Sequence, residues 1–142
     1  HRNGELAVSR YLAKLTYRFA KPISKFKFLR ALGFKLVSPQ WEKFSPETCA
    51  KAAIAMGGAS GYYKLWDAFL GNRFDKEISS KIPVTIIFGD TDYTLPAANS
   101  QEKSLAPAHS KWVDLPQSGH APMWDAPLDV IDEIKKVSFI AS

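Results

Sequence analysis

The chain has 142 residues, 46% of them hydrophobic and 23% charged, with a formal net charge of +5 and nine Phe and four Trp. That balance excludes disorder as the main state, because this many aromatic and aliphatic groups can bury enough surface to offset ordering entropy. The single cysteine, Cys49, excludes an internal disulfide framework and a multi-thiolate zinc site.

No run approaches the ~20 apolar residues of a membrane span. No apolar N-terminal segment reads as a signal peptide, so the expected location is cytoplasmic. The first residue is His1 rather than Met, which suggests a chain that begins inside its gene. The charge is uneven. Residues 1–82 carry 15 basic and six acidic side chains, and residues 83–142 carry four and eight. Most of the excess lies between Arg10 and Lys35. There the basic residues alternate with Leu, Phe and Tyr, as on amphipathic helices. A solvated helical face is the simpler reading, and no nucleic-acid fold signature accompanies it.

Val8, Tyr11, Leu12, Leu15 and Phe19 recur at three- and four-residue steps and predict a helix over Glu5–Phe19. Pro22 interrupts the pattern. A second helix is expected over Ile23–Leu32, with Gly33 as its stop. The stretch from Phe34 to Phe44 has no period and contains Ser38-Pro39, so it reads as loop. Ser45-Pro46-Glu47 is a helix start, with a hydroxyl cap and proline in the first turn. That helix is expected to run to about Met56 and stop at Gly57-Gly58. A shorter one follows over Tyr62–Leu70, ending at Gly71.

The character changes at Ile82. Residues 83–88, Pro-Val-Thr-Ile-Ile-Phe, form a continuous β-branched apolar run, the signature of a strand buried on both faces. A loop (Gly89 to Leu95), a helix (about Pro96–Leu105), a second strand (Lys111–Leu115) and a loop through Gly119-His120 come next. Asp125 can cap a last helix over Pro127–Ile140, with Leu128, Ile131, Ile134 and Val137 spaced to pack inward. Strand, helix, strand, helix is an α/β pattern. The expected division is therefore a helical region, 1–81, followed by a sheet region, 82–142.

In a parallel sheet, function gathers at the carboxyl ends of strands. One such end here is Gly89-Asp90-Thr91-Asp92-Tyr93-Thr94-Leu95-Pro96. The other leads into Ser118-Gly119-His120-Ala121-Pro122-Met123. One supplies a carboxylate and the other an imidazole. A carboxylate beside His Nδ1–H fixes the tautomer, orients the ring and stabilises the imidazolium formed when the other nitrogen takes a proton.

These two tracts resemble the acid loop, P-V-x-x-x-x-G-x-x-D-x-x-x-P, and the G-H-x-P histidine loop of the α/β-hydrolase fold, in the style of its bacterial members. The resemblance covers nearly the whole chain, but its specificity rests on the last 60 residues. It implies an α/β fold made of a helical cap followed by the last two parallel strands and helices of the sheet domain. It implies Asp92 as the triad acid and His120 as the general base. Asp90 is the neighbouring decoy, expected to cap or solvate. Asp125 is read either as support for the histidine loop or as a helix cap. His109 is expected at the surface, and Trp124 and Met123 in the core or bordering the site. Phe26, Phe28, Tyr62, Tyr63 and Trp66 are candidates to face the cleft from the cap, though no substrate-binding residue is assigned.

The nucleophile expected by this resemblance is missing. It would sit on a G-x-S-x-G elbow between a strand and a helix, upstream of the acid. Gly58-Ala59-Ser60-Gly61-Tyr62 comes near, but its fifth residue is Tyr and a helix precedes it. Cys49 lies inside a predicted helix and reads as an inert thiol.

The expectation is thus a carboxylic ester hydrolase whose nucleophile lies upstream, with this chain catalytically incomplete. An upstream aspartate would turn the same pair to epoxide hydrolase or haloalkane dehalogenase chemistry. A non-catalytic interaction module of the same fold is the third reading. No metal or organic cofactor is implied. The expected partner is a small-molecule substrate, with no nucleic acid and no stable membrane insertion. Two parallel strands cannot cover their own faces, so Val84–Phe88 is expected to lie exposed unless an N-terminal half or a second copy covers it.

Overall fold

The computed structural model describes residues 4–71 and 76–140. Residues 72–75, in the stretch leading to Ile82, lie outside the described residues. The chain is mostly helical, with two parallel strands. The contacts divide it into two compact units. One is drawn from residues up to Gly33 and from Glu42 onward, and the other from Phe34–Trp41 and from Lys76 onward.

In the first unit, α1 (Gly4–Thr16) ends in a 3₁₀ turn, Tyr17–Phe19, and a short helix α2 (Ala20–Ile23) follows directly. Pro22 sits inside α2, and the break falls just after it, at Ser24–Phe26. Helix α3 then covers Lys27–Phe34. Gly33 lies within α3 rather than ending it, a correction to the expected stop.

The Ser45 hydroxyl accepts from Thr48 N at 3.0 Å and opens α4 (Pro46–Gly58) as expected, with Pro46 in the first turn. Helix α4 runs through both Gly57 and Gly58. The reason for glycine at 57 is packing. A Cβ there would collide with the Tyr17 side chain and the Ala13 carbonyl, where α1 lies against α4.

Helix α5 (Tyr62–Gly71) completes the unit. Arg10 is buried and donates to the carbonyls of Gly57 (3.0 Å) and Ala59 (2.8 Å), so its guanidinium closes the C-terminal end of α4. It also lies over the Tyr62 ring at 5.2 Å. Cys49 is fully buried, and burial pushes its thiol pKa up against the opposing pull of Arg30.

The apolar stripe on α1 does not form a core face. Val8, Tyr11, Leu12, Leu15 and Phe19 are all exposed. The packed side of the helix is the one that carries Arg10 and Ala13.

In the second unit, β1 (Thr85–Gly89) pairs in parallel with β2 (Lys111–Leu115), Gly89 beside Leu115. The connection holds a short helix α6 (Ala97–Ser100) and a 3₁₀ turn, Lys103–Leu105, in place of one helix over 96–105. Residues 85–88 are half-buried, not buried on both faces. Phe88 stacks on Trp112, diagonal to it across the ladder, with centroids 5.9 Å apart.

After β2 come α7 (Pro122–Asp125) and α8 (Pro127–Ile140). Both helices touch β1. Of Leu128, Ile131, Ile134 and Val137, expected to pack inward, the first three are exposed and Val137 is half-buried, which corrects that reading. The largely buried residue of α8 is instead Glu133, paired with Lys111 of β2 at 2.5 Å and with Lys136 at 2.7 Å.

These two lysines hold the Glu133 carboxyl below its ordinary pKa. A depressed carboxyl contributes stability above its unfolded value and loses it as pH falls through the folded one. Glu133→Gln is therefore expected to flatten the acid limb of a urea-midpoint-against-pH curve below about pH 4.5. A limb of unchanged slope would show the pair to be inert. Gly33 has open space around it, so Gly33→Ala is expected to raise stability by about 0.5–1 kcal/mol. Chemical denaturation reads this directly.

Candidate active site

The site forms where the two strands end side by side. Asp90 N donates to Leu115 O at 3.0 Å and Thr91 N to Ser118 O at 2.9 Å, so the ladder continues into the loops. Gly89 is essential to this approach: a Cβ on it would overlap the Ser118 and Gly119 carbonyls. Gln117 takes a positive φ of 53° and turns the histidine loop back toward the acid loop.

Asp92 is 8% exposed. Its two carboxylate oxygens have separate tasks. Oδ1 accepts from Thr94 N and Leu95 N, both at 2.8 Å, an Asx-type turn that fixes the loop. Oδ2 lies 2.9 Å from His120 Nδ1. One side chain thus makes both the turn contacts and the contact to the imidazole. The Asp92 carboxylate is nearly buried, while the His120 side chain keeps 38% of its surface. A carboxylate at Oδ2 favours the tautomer with its hydrogen on Nδ1, which leaves the lone pair on Nε2.

Asp90 is exposed and accepts from the Thr91 hydroxyl at 2.6 Å. His109 is exposed, with Nε2 3.0 Å from Ile82 O. Ser60 is exposed in the turn between α4 and α5, with no strand before it among the described residues. Met123 and Trp124 are both exposed, so core packing is corrected for each, although the Trp124 ring lies 6.1 Å from Phe34. Among the cap candidates, Tyr62 stacks on Trp66 at 6.0 Å and edges onto Tyr63 at 5.4 Å, while Phe26 and Phe28 are exposed.

Asp125 is not the cap of the last helix. It ends α7, and its carboxylate accepts from Gly119 N at 2.8 Å and from the Ser38 hydroxyl. Of its two expected readings, this geometry is that of support for the histidine loop.

The segment 34–41, read from sequence only as loop, contributes more to this site than any other stretch outside the two loops. Val37 O accepts from His120 N at 2.8 Å and Leu36 O from the Thr94 hydroxyl at 3.2 Å. Gln40 Nε2 donates to Gln117 O at 2.8 Å. Its sequence signal is the Ser38-Pro39 turn, because two of these three contacts use the segment's own backbone carbonyls, which any residue supplies.

Among the described residues, no cluster of three or more His, Cys, Asp or Glu could hold a metal ion, and no helix is long and apolar enough to cross a membrane. In comparisons with known proteins, no family model, no curated protein and no solved structure matches the chain.

The histidine loop tolerates no side chain at position 119, where a Cβ would overlap Val37 O and crowd Ser38 and Pro39. Gly119→Ala is expected to cost about 1–3 kcal/mol and to lower the urea midpoint. A midpoint equal to wild type would mean that the segment 34–41 can move aside freely.

Proposed function

We propose that Asp92 and His120 are the acid–base pair of an α/β-hydrolase, and that the nucleophile is a serine upstream of this chain. The observation that carries the reading is the 2.9 Å contact between Asp92 Oδ2 and His120 Nδ1 at the ends of two adjacent parallel strands. Support also comes from the order acid then histidine, and from the tracts that resemble the family's two loops.

In this mechanism His120 Nε2 takes the proton of the serine hydroxyl as its oxygen attacks an ester carbonyl. Asp92 stabilises the imidazolium. The imidazolium returns the proton to the leaving alcohol, and an acyl-enzyme remains. His120 then takes a proton from water, whose oxygen attacks the acyl carbon. The serine regains its proton as the carboxylic acid departs. The substrate class is an ester with apolar parts, and the chain by itself lacks the group that attacks.

The test uses the polypeptide that carries this chain together with its upstream sequence. A strand followed by G-x-S-x-G before His1 is expected. His120→Ala and Asp92→Asn are each expected to lower ester turnover by about 10⁴-fold or more. Rates equal to wild type in both variants would remove the pair from the mechanism. A G-x-D-x-G elbow would move the chemistry to epoxides or halides.

A further inference from the structure

We propose that Ser38 and Asp125 are positioning residues for the His120 imidazole, acting through the backbone that leads into it; this rests on the reading of Asp92 and His120 as an acid–base pair. The amides of Gly119 and His120, the two that lead into the His120 α-carbon, both donate to groups outside the histidine loop. Gly119 N goes to Asp125 Oδ2 and His120 N to Val37 O, each at 2.8 Å. The other oxygen of Asp125 takes the Ser38 hydroxyl, and Ser38 is the neighbour of Val37. The contacts therefore close a ring: His120 N to Val37, Val37 to Ser38 along the chain, Ser38 to Asp125, Asp125 to Gly119 N, and back to His120.

Each member of the ring is constrained elsewhere. Ser38 is 1% exposed, and its hydroxyl oxygen also accepts from Gln40 N at 2.9 Å. The hydroxyl hydrogen is thereby left for Asp125. Gly119 permits the close approach, since any Cβ would strike the Val37 carbonyl.

The imidazole itself has one anchor, Nδ1 on Asp92. Its direction is otherwise set by the His120 backbone, and the ring of contacts fixes the two successive peptide N–H groups that lead into that residue. Displacing a catalytic group by about 1 Å can cost about 10²-fold in rate, so the leverage of these two side chains on the base is large.

The test reads the imidazole directly and needs no substrate. Nitrogen and proton NMR of the polypeptide that carries this chain together with its upstream sequence reports which ring nitrogen of His120 is protonated and whether the Nδ1 proton is held in a hydrogen bond. Wild type is expected to show the Nδ1–H form with a downfield proton. Ser38→Ala and Asp125→Asn are each expected to lose that proton and to raise the Nε2–H form by about tenfold, with far-ultraviolet circular dichroism unchanged. Ser38→Thr keeps the hydroxyl and is expected to keep the wild-type signal.

Retention of the downfield proton in Ser38→Ala would overturn the proposal and leave the Asp92–His120 pair intact. So would equal loss in Ser38→Thr and Ser38→Ala. A different result, an Asp92→Asn spectrum identical to wild type, would instead sink the acid–base reading itself. If Asp125→Asn fails to fold, the comparison of alanine with threonine at position 38 still decides, because it turns on one hydroxyl.

Discussion

The parallel register of β1 and β2 is the constraint from which the site follows. Gly89 lies beside Leu115, so both strands deliver their next residues to the same end of the ladder. In an antiparallel pair, the loop after one strand would leave beside the start of the other. Parallel pairing brings a buried carboxylate and a half-exposed imidazole within hydrogen-bond distance although 28 residues separate them. The loops then add backbone contacts of their own, from Asp90 and Thr91 to the histidine side. The segment 34–41 closes around them. The proposed chemistry needs a fixed tautomer and a fixed ring, and these local contacts supply the means for both.

The same ladder explains what the unit lacks. Two strands offer little surface to cover, and the buried apolar residues of the whole described chain are small or few: Ala20, Phe44, Cys49, Ala50 and Leu115. Polar groups therefore take a large part in the packing. Arg10 closes the end of α4, Glu133 is held by Lys111 and Lys136, and Asp125 ties α7 to the histidine loop. Meanwhile the regular apolar stripes of α1 and α8 face outward. Periodicity located the helices, but it could not say which face would find a neighbour. That depends on what lies beside the helix, not on its own spacing.

The strands and the two chemical loops were legible because their signals are local. A β-branched run bounded by Pro and Gly marked β1, and residues 111–115 were placed to the residue. Ser45 before Pro46 marked its cap in the same way. Asp92 and His120 stood out because their tracts resemble two known loops; a place at a strand end would not by itself separate Asp92 from Asp90. The role of the segment 34–41 was not legible. Its work is done by the carbonyls of Leu36 and Val37 and by a serine whose partner is 87 residues away. Asp125 was half legible: it was seen as a carboxylate before a helix, and only tertiary contact showed that it faces backward, to Gly119. Gly33 was misread because glycine also occurs inside helices, where it costs only about 1 kcal/mol.

Cys49 has a practical consequence. It is the sole thiol of the chain and has no exposed surface. A cysteine introduced into the acid loop or the histidine loop would therefore be the only one that a dye or spin label reaches in the folded protein. The native thiol need not be removed first. It would remain silent until α4 opens, so one molecule carries a chosen reporter at the site and a natural alarm for unfolding of the helical unit.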